Sequence, residues 1–352
     1  VLFIVSDDLR AELGAFGSRL ARTPSLDRLS LQGVAFERSY CAYPLCCPSR
    51  SSMLTGHQPT TTTVYRNPEW VGADHPDWAT LPRYFRNHGF ATARTGKIFH
   101  EGIDDTDAWV EGGEPRRWGD RAAADPPRPV SAAQAQEHVA RMVEQDRSRA
   151  ARSDRWEAVE GEAVATQGDT VVADRAIEWL RAHHKDATPF FLACGFSKPH
   201  SPLVAPKQFF DLFDVDAIPL PVDFAARPTV PAGFPAAAIR PNNADLFIAR
   251  EATPQAAREM IRAYLACVAY MDWNVGRVLA ELDRLGLRER TIVVFWGDNG
   301  YQLGEKGKWS KAGSLWEQGA RTPLILYDPR TRGNGWPSPR TATGATPTST
   351  RM

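Results

Sequence analysis

Cys46-Cys47-Pro48-Ser49-Arg50-Ser51-Ser52-Met53-Leu54-Thr55-Gly56 is the stretch around which the rest of the chain is organised. Pro48 suits the first turn of a helix, where a missing N–H is not needed, and Gly56 can close that helix in a left-handed conformation. The stretch therefore predicts one helix with Cys46 at its N-terminus. Free backbone N–H groups and the positive end of the helix dipole meet there, which favours an anionic ligand or a developing oxyanion. Taken alone, Cys46 and Cys47 also fit a blander role as small buried residues at a helix start.

Upstream, Val1 to Val5 is a continuous apolar, β-rich run ending in Ser6-Asp7-Asp8. Such a run predicts a strand buried on both faces of a mainly parallel sheet, and in open α/β sheets functional side chains gather at the strands' carboxyl ends. Asp7 and Asp8 lie at that end. Adjacent carboxylates repel, so a cation is one reason to keep two together; a turn of solvated aspartates is the other. Thr23-Pro24-Ser25-Leu26-Asp27 opens a helix with Thr23 as cap, closing near Gly33, and Val34 to Cys41 resumes as a strand. The alternation is of the βαβ type.

Downstream, a helix from Leu81 to Gly89 and a short strand lead into Gly96-Lys97-Ile98-Phe99-His100. From Glu101 to about Gly168 the pattern breaks into an insertion with Trp109, Trp118, Trp156 and one amphipathic helix, Ala132 to Met142. Its tryptophans are expected to pack it onto the core, with stacking on a sugar as the alternative. A helix from Thr170 to His183 and a strand from Pro189 to Gly195 deliver Ser197-Lys198-Pro199-His200. After a proline-rich loop, Ser201 to Thr253, come a long helix or broken pair, Pro254 to Leu285, and a strand, Thr291 to Trp296. That strand ends in Gly297-Asp298-Asn299-Gly300. A glycine-rich basic loop, Gly304 to Lys311, precedes a last strand, Thr322 to Asp328, expected to join the main sheet. Four of these clusters fall just past a strand end, and the repetition matters more than any single one.

At 352 residues, 43% of them hydrophobic and without an internal repeat, the chain is long enough for one large α/β domain, residues 1–328. Forty-two basic residues balance forty-two acidic ones. The balance argues against nucleic acid or an anionic membrane as partner, so any attraction for an anion is local. Lysine occurs only at 97, 185, 198, 207, 306, 308 and 311, several of them within the clusters above. The five cysteines have no zinc-like spacing and predict no disulfide framework, and no apolar run is long enough to span a bilayer.

Read as Cys-x-Pro-Ser-Arg-x-x-x-Leu-Thr-Gly, Cys46 to Gly56 resembles the signature of the sulfatase family, whose first cysteine is oxidised to the aldehyde formylglycine. Gly96-Lys97-x-Phe99-His100 resembles the family's second signature as spelled in the iduronate-2-sulfatase branch, and Lys198-Pro199-His200 matches its Lys-Pro-His element. The resemblance implies an alkaline-phosphatase-like three-layer α/β/α sandwich with a large, mainly parallel central sheet. It implies hydrolysis of a sulfate ester on a small molecule or glycan, with a 2-O-sulfated uronate expected from the spelling of the second signature, and Ca²⁺ held by Asp7, Asp8, Asp298, Asn299 and the converted Cys46. One hydroxyl of the formylglycine hydrate would attack sulfur, its charge stabilised by Ca²⁺ and Arg50. His200 would protonate the leaving oxygen, Lys97, Lys198 and Lys311 would hold the sulfuryl oxygens, and His100 would take the second hydroxyl's proton, restoring the aldehyde. Lys306 and Lys308 are expected to be rim charges. A formylglycine-generating enzyme is the implied maturation partner.

Asp298-Asn299 departs from the Asp-His of human-type iduronate sulfatases and agrees with many other sulfatases. Two rival readings are a phosphonate monoester or phosphodiester hydrolase of the same superfamily and an inactive glycan-binding remnant. The second arises because the family continues into a smaller C-terminal subdomain where this chain has Arg330 to Met352, rich in Thr, Pro, Gly and Arg. That end, residues 329–352, is expected to be a disordered tail, and the chain to be less stable than a complete relative. Val1 already stands inside a strand-like run, so the true N-terminus and any signal peptide lie outside this sequence; localisation is open, with the periplasm or another exported location favoured.

Overall fold

The computed structural model describes residues 1–67, 69–100, 102–112, 148 and 150–331. Strand β1, Leu2–Asp7, lies inside the main sheet with parallel neighbours on both sides, β5 (Phe190–Pro199) and β7 (Val293–Gly297). β3 (Ala91–Gly96) extends the parallel set beyond β5. On the other side β8 (Leu324–Tyr327) runs antiparallel to β7, and the two-residue β2 (Val34–Ala35) pairs antiparallel with β8. Among the described residues the order is β2-β8-β7-β1-β5-β3.

Strict alternation along the strands divides the interior into two cores. Leu2 and Ile4 of β1, Leu192, Cys194 and Phe196 of β5, and Val293 and Phe295 of β7 face one side. There they meet helices α1 (Pro24–Gln32), α4 (Gly168–His183) and α5 (Pro254–Arg284). Phe3, Val5, Phe191, Ala193 and Trp296 face the other, against α2 (Cys46–Thr55) and α3 (Leu81–Asn87). The result is the expected three-layer α/β/α sandwich. The last strand joins the sheet as expected, and α5 is a single helix of 31 residues, opened by Thr253 Oγ1, which accepts the Ala256 N–H at 3.2 Å.

Several expectations need correction. Val34 to Cys41 keeps only two residues of strand and an isolated bridge at Tyr40: the register with β8 ends at Ala35, and a single further bond, Phe36 N–H to Leu324 O at 2.9 Å, follows it. The Thr23 side chain does not cap α1: it accepts from Gly14 N and donates to Asp27. The carboxylate of Asp272, on α5, instead accepts the Ser25 and Leu26 N–H groups at 3.0 and 2.8 Å. Such a cap comes from a helix 246 residues away in sequence, beyond the reach of local pattern. Residues 156–159 form β4 (Trp156–Val159), which pairs in parallel with β6 (Leu203–Pro206) in a separate two-stranded sheet. Trp109 packs inward, its indole N–H on Asp104 and its ring against Phe191, whereas Trp156 is partly exposed against Phe210. Trp118, the Ala132 to Met142 helix and the tail from Pro337 to Met352 lie outside the described residues.

Candidate active site

The carboxyl ends of β1, β3, β5 and β7 converge, and α2 aims its N-terminus at the same place. Gly56 ends α2 at φ 73°, as a left-handed residue must, with its N–H on Ser52 O at 2.8 Å. At the ends of β3 and β5 the backbones come so close that a Cβ on Gly96 would meet Gly195 O at 2.0 Å. Only glycine permits this approach, and it sets Lys97, whose N–H donates to Gly195 O at 2.9 Å.

The two cysteines point different ways. Cys46 Sγ lies 3.2 Å from Asp7 Oδ1 and 3.9 Å from Asp8 Oδ1, while Cys47 Sγ donates to Glu69 O at 2.9 Å. Asn67, which the motif reading passed over, accepts the Cys47 N–H at 2.9 Å, so one N–H at the start of α2 is already engaged. Burial, and then the Asp7 carboxylate, push the Cys46 thiol well above its ordinary value. It is therefore a poor source of thiolate.

Asp7, Asp8 and Asp298 are buried, with one oxygen of each within 4.8 Å of the others. At that spacing two like charges repel by roughly 3 kcal/mol even at an effective dielectric of about 20, so the cluster requires cations. Three are present. Arg50 Nε binds Asp298 Oδ2 at 2.8 Å with Nη2 3.6 Å from Asp7 Oδ1, Lys97 binds Asp7 Oδ2, and Lys311 Nζ binds Asp8 Oδ2 at 2.6 Å. Burial alone would raise Asp7, but Lys97, His200, Arg50 and Lys311 hold it well below the usual carboxylate range. Burial and the Asp7 charge push Asp298 up to about 7.

The donor set fits a hard divalent cation. Asn299 Nδ2 donates to Asp8 Oδ1 at 2.8 Å, and the other amide atom, Asn299 Oδ1, is a buried acceptor with no donor among the described residues. Three carboxylates and this orphaned amide oxygen form the all-oxygen shell that Ca²⁺ prefers. Asp8 itself sits at φ 62°, a left-handed conformation uncommon outside glycine. Its carbonyl accepts the Tyr264 hydroxyl at 2.7 Å, and the hydroxyl oxygen of Tyr264 in turn accepts the Arg10 N–H at 3.1 Å. Tyr264→Phe is expected to lower unfolding free energy by about 1–3 kcal/mol, by leaving the buried Asp8 carbonyl and the partly buried Arg10 N–H without this partner. A denaturant midpoint equal to that of the parent protein would contradict this.

His200 Nδ1 donates to Ser201 O at 2.7 Å, leaving Nε2 3.7 Å from Asp8 Oδ2. His100 lines the same cavity; burial, then Lys97, lower its imidazole to about 3, and its Nδ1 has no partner among the described residues. It is neutral near pH 7, with a lone pair available. Lys198 departs from expectation. Its ammonium donates to Pro202 O at 2.7 Å and His200 O at 3.3 Å, which fixes a loop rather than facing the carboxylates. Lys308 departs too: it is 2% exposed, donates to Asn242 O, and burial lowers it to about 8, so it is no rim charge. Lys306 pairs with Asp223 at 2.6 Å over the Trp316 ring, away from the carboxylates.

A mainly parallel sheet sandwiched by helices, with its charged groups gathered at the strand ends, fits the alkaline-phosphatase-like architecture, and solved structures agree. The phosphonate monoester hydrolase of Agrobacterium radiobacter superimposes with a TM-score of 0.67 at 20% identity, over 94% of this chain and 68% of that one. The sequence profile of the sulfatase family matches residues 1–346. The chain is 33% identical over 342 residues to iduronate 2-sulfatase of Homo sapiens, covering 94% of this chain and 59% of that protein. It is 32% identical over 341 residues to a sulfatase of Formosa agariphila, with 94% and 64% covered. The chain belongs to the sulfatase family. It spans about three fifths of the length of these two relatives.

Proposed function

We propose that this protein hydrolyses a sulfate ester on a carbohydrate, using formylglycine made from Cys46 by a formylglycine-generating enzyme and Ca²⁺ held by Asp7, Asp8, Asp298 and Asn299. The observation that supports this most is the position of the Cys46 side chain, against Asp7 and Asp8 and flanked by the ammonium groups bound to them. A thiol held above its ordinary value is unsuited to attack as thiolate, which favours an oxidised derivative at this position. The hydrated aldehyde would supply an oxygen nucleophile, and the cation a fixed charge that keeps that oxygen anionic at neutral pH.

The chain's own groups divide the remaining tasks. Lys97 and Lys311, both raised in pKa by the aspartates after burial has lowered them, stay charged and would hold the sulfuryl oxygens. Arg50 is fixed by Asp298 and by the Lys97 and Ile98 carbonyls at 2.7 and 2.8 Å, so it keeps its charge beside position 46. His200 Nε2 faces the site and would protonate the departing alcohol oxygen; neutral His100 would accept a proton when sulfate leaves.

A cavity of about 1010 Å³, lined by Lys97, His100 and His200 and also by Arg94, Arg175 and His183, has room for more than a sulfate group, which supports a sugar substrate. The spelling around Lys97 and His100, and a relative named iduronate 2-sulfatase, favour a 2-O-sulfated uronate. Two comparisons on aldehyde-bearing protein test this. Turnover of 4-nitrophenyl sulfate is expected to exceed that of a nitrophenyl phosphodiester, and the reverse ranking would make the protein a phosphodiesterase. A uronate 2-sulfate is expected to be cleaved faster than a 6-O-sulfated hexosamine; the opposite order would sink the uronate reading.

A further inference from the structure

At the end of β5 the ladder to β1 slips. Ser6 pairs with Phe196, but Asp7 pairs with Pro199, so Ser197 and Lys198 are bulged out of register. Bulges next to active sites re-aim side chains, and the residues they displace need new hydrogen-bond partners. Here side chains supply them. Asp169, buried near the start of α4, accepts the Ser197 N–H and hydroxyl through Oδ1, both at 2.8 Å, and the Lys198 N–H through Oδ2 at 3.0 Å. Ser6 Oγ donates to the Lys198 carbonyl at 2.7 Å, and the Lys198 ammonium ties down the Pro202 and His200 carbonyls. The His200 N–H in turn donates to Ser197 O at 2.9 Å. All of these bonds act on the turn that carries the His200 imidazole.

We propose that Asp169 is a positioning residue: its carboxylate locks the β5 bulge and thereby aims His200 Nε2 at the departing oxygen of the substrate. This rests on the reading of His200 as the group that protonates that oxygen. Asp169 touches no reacting atom and acts only through the turn. A carboxylate suits the task because all three groups it meets are donors. An amide of the same shape keeps one acceptor for Ser197 but sets its NH₂ against the Lys198 N–H, so Asp169→Asn perturbs the aim while leaving the packing in place.

The test is the dependence of rate on the leaving group. Loss of leaving-group protonation is severe for a sugar sulfate and slight for 4-nitrophenyl sulfate, whose phenolate departs without a proton. Asp169→Asn is expected to lower kcat on a sugar sulfate by about 10- to 100-fold and on 4-nitrophenyl sulfate by less than about 3-fold. Combined with His200→Ala it is expected to add nothing to the loss from His200→Ala alone, as two groups acting as a unit do. Equal losses on both substrates, or additive losses in the double variant, would overturn the proposal. If His200→Ala separates the substrates and Asp169→Asn does not, this inference falls alone; if His200→Ala does not separate them, the role given to His200 falls first. One readout needs no turnover: the ¹⁵N resonance of His200 Nδ1, bonded to Ser201 O, is expected to shift in Asp169→Asn, and an unchanged resonance refutes the positioning role. Ser197→Ala, which removes one donor, is expected to shift it the same way by less, and serves where the asparagine variant folds poorly.

Discussion

Cys46→Ala is expected to abolish turnover of every sulfate ester, a loss of at least about 10³-fold, whereas Cys47→Ala should retain a substantial fraction. The difference follows from where the two side chains point. Cys46 Sγ faces Asp7 and Asp8, in reach of any ligand they hold, while Cys47 Sγ is turned to the Glu69 carbonyl and packs in the core beneath α2. Alanine at 47 removes one buried sulfur and costs packing; alanine at 46 removes the thiol through which Cβ is oxidised to the aldehyde. Mass spectrometry of the peptide containing both residues checks the starting material, since conversion removes one sulfur and two hydrogens and adds one oxygen. Equal loss of rate in the two variants, with conversion intact in Cys47→Ala, would show that the register has been misread.

The second large effect concerns the oxygen cluster. Asp298→Ala, or chelation of Ca²⁺, is expected to remove most activity and also to lower the melting temperature. A ligand present at about 1,000 times its dissociation constant stabilises the folded state by roughly 4 kcal/mol, so losing the cation is visible in a thermal scan without any assay of rate. Asp298→Ala should be the more damaging of the two. Besides a cation ligand it removes the nearer of the two carboxylates paired with the buried Arg50 guanidinium, leaving Asp7 at 3.6 Å, and breaking a buried pair by removing one partner costs up to about 3–5 kcal/mol. Asp298→Asn keeps the shape and one acceptor, and should fall between the parent protein and the alanine variant. A melting temperature and rate unchanged by chelation would take calcium out of the scheme.

How much of this was legible beforehand depends on the range of the interactions involved. The extent of α2 and its left-handed stop at Gly56, the buried β1, the helical run of α5, though not its being unbroken, and the strand-end placement of Asp7, Lys97 and Asp298 follow from periodicity, proline, glycine and apolar runs. These signals act within a few residues along the chain. The three layers follow as well, because β1, β5 and β7 are apolar on alternate residues to both sides and demand cover on both faces. The short β2, the parallel pair β4 and β6, and the cap that Asp272 gives α1 were not legible, because each depends on a partner more than forty residues away.

The site divides along the same line. Sequence alone determined which residue types stand at which strand ends, since spacing and side-chain chemistry are local properties. Tertiary structure alone decided which of them meet. Lys311 reaches Asp8 across 303 residues and Arg50 reaches Asp298 across 248, whereas Lys198, two positions from His200, turns to the carbonyls of its own loop. Lys308, expected at the rim, is buried on Asn242 O, and Asp169, a carboxylate in no motif, holds the turn that carries His200. The physical reason is that a charge is placed by the nearest partner that can compensate its desolvation, and at the strand ends of a parallel sheet that partner can come from a helix or loop far away in sequence.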